Sequence, residues 1–264
     1  MRQIRLACMS VMWGDATKAL QEPKAFEAWL ADVKEAGYEG CATFNWNLER
    51  FYSDPSKLRN ILDDYELALA SVDCFISVDF EKIRQLCGLM KEMVCENLVL
   101  LGGTGKHEPD FRGLADVLNT IGEISLGFDV RTMYHHHTGF TGESLNEAEK
   151  LLKMTDPTKV FAICDVGHAT KDFIELPPSK RATTYMERNW ERMRFIEFKD
   201  WQSETDLGTE VGQGLADYNA VASIIRDKGY QGWITVEQNA STPGKTPLES
   251  AKASREFIRG LGLV

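Results

Sequence analysis

The sequence predicts an α/β protein built as one closed (β/α)8 barrel. Strand-like apolar segments alternate with helix-periodic segments from one end of the chain to the other. Eight such pairs fit within 264 residues, and the short connections between them suit a closed barrel better than an open doubly wound sheet. No low-complexity linker interrupts the alternation. We therefore expect residues 1–264 to form a single domain.

The expected elements follow one another in a regular order. The first pair is typical, because a strand-like run at 4–9 precedes a helix-periodic run at 23–36 that stops at Gly37. The eight expected strands are 4–9, 40–44, 67–76, 98–101, 130–135, 160–164, 194–198 and 233–236. The eight expected helices are 23–36, 55–65, 80–94, 111–124, 144–154, 178–192, 217–228 and 247–261.

Composition and charge exclude several classes of protein. Hydrophobic residues make up 43% of the chain and the mean hydropathy is -0.29, which is typical of a soluble globular protein. No apolar run approaches the roughly 20 residues of a membrane span, and no signal core follows the first charges, so we expect a cytoplasmic location and no membrane partner. The net charge of -10 opposes binding to a phosphate backbone, which argues against a nucleic-acid partner.

The cysteines carry no metal or redox pattern. None of the six is paired as Cys-x-x-Cys, and several fall inside apolar strand-like runs, where a thiol behaves as a small hydrophobic group. We expect reduced, buried thiols. The six are Cys8, Cys41, Cys74, Cys87, Cys95 and Cys164.

Ionisable residues concentrate at the carboxyl ends of the last four expected strands, which is where barrels of this class carry their catalytic groups. The strand-end residues are His135 and His137, Asp165 and His168, Glu197 and Lys199, and Glu237. In the first half of the chain, Trp13, Asn45, Trp46 and Gly102-Gly103 could shape a pocket or bind substrate hydroxyls.

The histidines form two short clusters, and this placement indicates function. Alternate residues of a strand point to the same side, so His135 and His137 are expected to share a face while His136 points away. Imidazole and carboxylate together form the ligand sets of Zn, Mn, Co and Fe sites, and equally of acid/base pairs. A single histidine at a strand end is more often structural, but four in two clusters favour chemistry.

Two glutamates invite different interpretations. Glu197 alternates with apolar neighbours and is expected to point into the barrel, where a buried carboxylate needs a cation. That cation is either a metal ion or the ammonium of Lys199. Glu237 has no basic neighbour in the sequence, which favours metal ligation.

Two glycine-rich segments are expected to be flexible loops. The segment 102–107 departs from the phosphate-loop pattern, because Leu100 and His107 stand where a glycine and a Ser or Thr belong. The segment 208–214 follows the seventh strand and could act as a lid over the barrel mouth.

Several motifs resemble a known group. They are Cys-Asp-Val-Gly-His at 164–168, Phe-Ile-Glu-Phe-Lys-Asp at 195–200, Gly-Gln-Gly-Leu-Ala-Asp at 212–217 and the run 229–237 that ends in Thr-Val-Glu. Together with Trp13 and the segment 35–40, they look like the xylose isomerase-like TIM barrel superfamily of sugar isomerases, epimerases and dehydratases. The resemblance covers nearly the whole chain.

The resemblance implies a divalent metal, with Mn, Co, Mg or Zn as candidates. Members of the superfamily usually bind it through Glu, Asp, His and Glu on strands five to eight. Those positions hold His135, Asp165, Glu197 and Glu237 here. Histidine replaces Glu on strand five and Glu replaces His on strand seven, so the set still contains one imidazole and three carboxylates.

The Tyr-His-His-His-Thr-Gly run at 134–139 looks most like the inosose dehydratase branch. Ketose 3-epimerases resemble one another in a second Glu about six residues beyond the first, and Thr141 occupies that position here. The resemblance therefore implies a lyase of inositol catabolism that acts on a keto-inositol or keto-sugar through an enediolate.

The roles implied for individual side chains remain alternatives. Glu237 or His137 would be the base, and His168 or Lys199 the acid or oxygen clamp. The substrate-binding set would comprise His137, His168, Lys199, Trp13 and Asn45.

Three other functions stay open. One is a ketose 3-epimerase or sugar isomerase, and one is a non-catalytic sugar-binding barrel. An endonuclease of the superfamily is disfavoured by the negative charge and by too few histidines for three metals. For every proposed enzyme except the endonuclease, the expected partner is a small carbohydrate or cyclitol substrate. The sequence leaves the oligomeric state open, including a homo-oligomer.

Overall fold

Eight parallel strands close into a barrel, which confirms the predicted fold class. The computed structural model describes residues 4–14, 18–103 and 110–264. The barrel strands are β1 Ile4–Met9, β2 Gly40–Phe44, β3 Ala68–Phe75, β4 Asn97–Leu101, β5 Arg131–Tyr134, β6 Val160–Asp165, β7 Met193–Phe198 and β10 Gly232–Val236. Around the barrel their order is β1, β10, β7, β6, β5, β4, β3, β2. A separate antiparallel hairpin consists of β8 Asp200–Gln202 and β9 Asp206–Thr209.

Helices connect the strands and cover the outside of the barrel. Within the described residues they are α1 Pro23–Glu35, α2 Pro55–Asp64, α3 Phe80–Glu92, α4 Phe111–Leu126, α5 Leu145–Met154, α6 Val166–Asp172, α7 Pro178–Asn189, α8 Tyr218–Asp227 and α9 Pro247–Gly260. Capping side chains fix the first residue of several helices. Ser144 and Asp217 accept the N–H groups of Glu147 and Ala220, so α5 and α8 begin one residue after the predicted positions.

The inside of the barrel is filled by apolar side chains below the carboxyl mouth. The inner cluster comprises Ala7, Ala70, Val99, Met133, Ile163, Phe195 and Trp233. The largest of these, Trp233, explains Gly40, because a Cβ at that glycine would lie 2.7 Å from the indole ring. A second and larger apolar core lies between the strands and the surrounding helices. The ionisable groups at the mouth therefore lie above a buried apolar layer.

Two segments differ from the sequence expectation. Helix α6 was not predicted, and it starts directly at the end of β6 because the Asp165 carboxylate accepts the N–H of His168 at 2.8 Å. The loop expected at 208–214 begins later than predicted. Part of it belongs to β9, and the Asp200 carboxylate accepts the N–H groups of Gly212 and Gly214 at 2.9 Å each.

The other glycine-rich segment is described only in part. Gly102 and Gly103 follow β4, whereas residues 104–107 of that expected loop lie outside the described residues.

All six cysteines are buried and free, as expected. In the parts of the chain that the structure covers, no helix combines the length and apolar character that crossing a bilayer requires.

Candidate active site

Three side chains at the carboxyl mouth form a buried cluster suited to a divalent ion. His135 follows β5, Asp165 ends β6 and Glu197 lies on β7, and each offers one ligand atom within 4.8 Å of the others. The register of β6 and β7 pairs Asp165 directly with Glu197. Within the described chain, Asp165 Oδ2 and Glu197 Oε1 are buried without a hydrogen-bond partner. Two buried acceptors of this kind next to an imidazole fit a bound cation.

The backbone orients His135 for this role. Its Nδ1 atom lies 2.5 Å from the carbonyl oxygen of His136, and a carbonyl can only accept, so Nδ1 carries the proton. The Nε2 atom on the other side of the ring lies 3.5 Å from Asp165 Oδ2. Histidines that bind metals usually donate their other N–H group in this way.

Lys199 pairs with Glu237 rather than with Glu197. The Nζ atom of Lys199 lies 2.5 Å from Glu237 Oε1 and 3.9 Å from Asp165 Oδ2. Glu237 has no basic neighbour in the sequence, but the fold supplies one in Lys199. The register that pairs Val236 with Phe198 brings the residues after both strands side by side. Among the described residues, Glu237 falls outside the three-residue cluster.

Gly167 permits the close approach of α6 to the side chain of Lys199. A Cβ at that position would lie 2.8 Å from the Cγ atom of Lys199, so only glycine lets α6 pack against the lysine stem. This gives the glycine of the Cys-Asp-Val-Gly-His motif a structural role beside the chemistry of its neighbours.

The charges in the cluster shift one another. Burial opposes ionisation of Asp165, but His168 and Lys199 outweigh it and hold the pKa of the carboxyl well below its usual range. Burial and the carboxylates of Glu237 and Asp165 raise the pKa of Glu197 well above its usual range. Burial also opposes ionisation of Glu237, but the charge of Lys199 outweighs it and lowers the pKa of Glu237 below its usual value.

Two further imidazoles border the cluster. The rings of His137 and His168 lie 4.1 Å apart, and each is between 5.5 and 5.6 Å from the ring of His135. Burial lowers the pKa of His137 to about 4, with the neighbouring His135 adding to the effect. Burial also lowers the pKa of His168 well below its usual range. Both rings are therefore neutral near pH 7.

The remaining predicted residues lie apart from this cluster. His136 points away and packs against the rings of Phe173 and Tyr185 at 4.7 and 5.0 Å. The Trp13 indole N–H donates to Asp32 on α1 at 2.8 Å. Asn45 lines a cavity of about 310 Å³ together with Trp46 and Phe75. The structure thus gives Trp13 and Asn45 other surroundings than those of the three imidazoles.

Sequence reasoning missed Asp73 and most of an aromatic wall, of which it named Trp46 alone. Asp73 is buried on β3 and adds to the electrostatic environment that raises the pKa of Glu197. An aromatic wall, defined as Phe44, Trp46, Phe75 and Phe140, runs from β2 to His137 with ring separations of 4.2 to 6.3 Å. The signal for Asp73, Phe44 and Phe75 was a polar or aromatic residue near the carboxyl end of β2 or β3, whereas Phe140 follows β5.

A further cavity lies at the opposite end of the barrel. It measures about 510 Å³ and is lined by residues at or near the amino ends of the strands, among them Arg5, Arg131 and Arg194. The described metal-ligand cluster lies at the other mouth, so we place the chemistry there rather than in this cavity.

Comparisons with known proteins agree with this architecture. Residues 30–261 match the family model for the xylose isomerase-like TIM barrel. The chain is 27% identical to the inosose dehydratase of Mesomycoplasma hyopneumoniae (strain J), over 99% of this chain and 97% of that protein. Among solved structures, the probable 3-DHS dehydratase AsbF from Bacillus anthracis is similar with a TM-score of 0.77 at 14% identity, covering 97% of this chain and 98% of the other.

A D-allulose 3-epimerase from Methylomonas sp., solved with D-allulose, is similar with a TM-score of 0.75 at 14% identity and 98% coverage of both chains. At this identity the two solved structures speak for the fold alone. The family model covers most of the chain, and it confirms the resemblance read from the motifs. The chain belongs to the xylose isomerase-like TIM barrel family.

Proposed function

We propose that this protein is a divalent-metal-dependent lyase of the dehydratase type that acts on a polyhydroxy ketone, with a keto-inositol as its substrate. The observation that carries the proposal is the buried cluster of His135, Asp165 and Glu197 at the carboxyl mouth. A relative that spans the whole chain is named inosose dehydratase, which supports this reaction class and a place in inositol catabolism. We further propose that residues 1–264 form one domain.

The cluster would hold the ion and the surrounding side chains would move protons. A divalent ion bound there would polarise the substrate carbonyl and so acidify the neighbouring C–H group. Its identity among Mn, Co, Mg and Zn is left to experiment, since one imidazole with carboxylates suits several of them. Lys199 stays charged because Glu237 and Asp165 raise its pKa against the effect of burial, which fits an oxygen clamp or a proton donor.

The neutral imidazoles suit the proton-accepting step. His137 or His168 would take the proton from the carbon next to the ketone, since each is uncharged near pH 7. The C–O bond at the next carbon would then break, and the imidazolium would return its proton to the departing hydroxyl group as water forms. Glu237 is the alternative base, although its ion pair with Lys199 lowers its basicity.

The environment of strand five favours elimination over epimerisation. Thr141, which stands where epimerases of the superfamily carry a second Glu, is buried, and its carbonyl accepts the Tyr134 hydroxyl at 2.6 Å. The nearest carboxylate, Glu143, accepts the backbone N–H of Gly139 at 2.9 Å. A second carboxylate base of the epimerase type is therefore not expected at position 141.

The test compares the two reaction types on the same protein. The metal-loaded protein is incubated with a keto-inositol and separately with free ketoses, and we follow the enone or diketone chromophore and the formation of 3-epimers. We expect the chromophore to appear with the keto-inositol. Rapid epimer formation without an elimination product would contradict the proposal and identify a ketose 3-epimerase. Binding of sugars without turnover in the presence of metal would identify a sugar-binding barrel.

A further inference from the structure

Three side chains form a hydrogen-bonded chain behind the imidazole of His168. The Thr138 hydroxyl donates to Asp172 Oδ2 at 2.6 Å, and the same hydroxyl oxygen lies 2.9 Å from His168 Nδ1. Asp172 Oδ2 also lies 3.3 Å from His168 Nδ1. His168 and Asp172 stand four residues apart on α6, so their side chains share a face of the helix.

The chemistry of these groups places the proton on Nδ1. A threonine hydroxyl has a single hydrogen, and Thr138 gives it to Asp172. The 2.9 Å contact with His168 then requires Nδ1–H as the donor. A contact from the Thr138 backbone N–H to Nδ1 would require the opposite, but at 3.4 Å it is the longer of the two.

The opposite nitrogen of His168 consequently presents a lone pair to the candidate site. Its Nε2 atom is buried, has no hydrogen-bond partner among the described residues, and lies 3.9 Å from Asp165 Oδ2. His137 has the same arrangement, because its Nδ1 atom donates to the Thr138 carbonyl at 2.9 Å. The difference is that a carbonyl fixes the tautomer of His137, whereas a side chain fixes that of His168.

We propose that Asp172, directly and through Thr138, is the positioning residue that holds His168 in its Nδ1–H tautomer, so that Nε2 presents the lone pair that receives the proton. An ionised carboxylate can only accept hydrogen bonds, which imposes a direction on the whole chain. The tautomer itself follows from the contacts alone. The proton-accepting step rests on the proposed function.

The first test reads the tautomer directly. The full-length protein is labelled with ¹⁵N-histidine, loaded with diamagnetic Mg²⁺ and examined by long-range ¹H–¹⁵N correlation at about pH 8, where Asp172 is ionised although burial raises its pKa to about 6. The His168 signals are assigned by their loss in His168→Gln. We expect a protonated Nδ1 and an unprotonated Nε2. A protonated Nε2 in the wild-type protein would overturn the proposal without any further variant.

Two variants separate the contributions of Asp172 and Thr138. Asp172→Leu removes the acceptor, so the Thr138 hydroxyl can turn and donate to Nδ1, and we expect the Nε2–H form to appear. Thr138→Val removes the hydroxyl but leaves Asp172 at 3.3 Å from Nδ1, so we expect the Nδ1–H form to persist. An unchanged tautomer in a folded Asp172→Leu protein, or a proton moved to Nε2 in Thr138→Val, would overturn the role of Asp172.

The second test asks whether the tautomer matters for turnover. With a keto-inositol as substrate, Asp172→Leu is expected to lower kcat by about 10- to 100-fold while KM changes by less than about threefold. The reason is that Nε2, the nitrogen that receives the proton, then already carries a hydrogen. Thr138→Ser keeps the hydroxyl and is expected to retain activity. Wild-type kcat in Asp172→Leu would overturn the catalytic part. If the wild-type protein does not act on the keto-inositol, the proposed function fails while the tautomer result still stands or falls by NMR.

Discussion

Lys199 Nζ lies 2.5 Å from Glu237 Oε1 in the carboxyl mouth, and both side chains are almost fully buried. A buried carboxylate needs a cation, and here the protein supplies one to the strand-ten carboxylate. Among the described residues, Asp165 Oδ2 and Glu197 Oε1 have no hydrogen-bond partner, and Lys199 is farther from Asp165 Oδ2, at 3.9 Å. We infer that Glu237 serves the site mainly through Lys199, and that His135, Asp165 and Glu197 form the ligand set.

Glu237→Gln tests the importance of this ion pair. The substitution is nearly isosteric, but it leaves the Lys199 ammonium without its closest carboxylate. We expect a loss of turnover of at least about 100-fold in a protein that remains folded, although less stable. The measurements are kcat/KM on the keto-inositol, far-UV circular dichroism and the melting temperature.

The matched control is Glu210→Gln, because Glu210 also pairs with a lysine, Lys245 at 2.8 Å, in a pair outside the cluster. It is expected to keep most of the activity. Wild-type turnover in Glu237→Gln would show that Glu237 has no part in catalysis.

Lys199→Met should separate metal binding from turnover. The ammonium repels a divalent ion at the neighbouring cluster, since it lies 3.9 Å from Asp165 Oδ2. We expect the variant to bind Mn²⁺ about 10-fold more tightly and to lose turnover, as the oxygen clamp is gone. Isothermal titration calorimetry and a turnover assay measure the two effects. Weaker Mn²⁺ binding in Lys199→Met would mean that the lysine supports the cluster instead of opposing the ion.

The sequence predicts which strand ends carry chemistry but not which side chains pair. His135, Asp165 and Glu197 meet because parallel strands bring their carboxyl ends to one mouth, a rule that periodicity alone can apply. The choice of Glu237 over Glu197 as the partner of Lys199 depends on the register between β7 and β10. Register and side-chain direction are tertiary properties, and local sequence does not encode them.

His136→Phe tests the pH dependence of stability. Burial lowers the pKa of His136 to about 3, so the folded protein resists protonation while the unfolded chain accepts a proton below about pH 6.5. The folded-state pKa is depressed, so this stability is fully present above pH 6.5 and is lost as the pH falls towards 3.

One such histidine contributes a slope of up to about 1.4 kcal/mol per pH unit across that window. Phenylalanine fits the aromatic neighbours Phe173 and Tyr185 and cannot be protonated. We expect His136→Phe to lose less free energy of unfolding than the wild type between pH 7 and pH 4, as measured by urea titration. An equal loss in both proteins would contradict the assignment.

Asp200→Ala tests the ordering of the segment after the hairpin. The Asp200 carboxylate accepts N–H groups from Gly212, Gly214 and Ala216, so we expect these amides to exchange with deuterium faster in the variant by at least about 10-fold. Amides in β10 serve as the internal reference. Unchanged exchange at all three would show that other contacts hold the segment.

This ordering also shows what glycine content alone leaves undecided in the loop expected at 208–214. Glycine content indicates backbone freedom, but it also permits the turn at Gly212, whose φ of 89° brings successive N–H groups to one carboxylate. A distant acceptor such as Asp200 decides between the two outcomes. Likewise, α6 escaped prediction because Asp165 both ends a strand and caps a helix.

Equilibrium dialysis followed by elemental analysis measures directly whether the cluster of His135, Asp165 and Glu197 binds a divalent ion. The wild-type protein is dialysed against Mn²⁺, Co²⁺, Mg²⁺ or Zn²⁺ beside Asp165→Asn, with Glu96→Gln at the opposite end of the barrel as the control. We expect about one ion per chain in the wild type and in the control, and an affinity at least about 10-fold lower in Asp165→Asn. Equal metal content in Asp165→Asn, or no stoichiometric ion in the wild-type protein, would contradict the account.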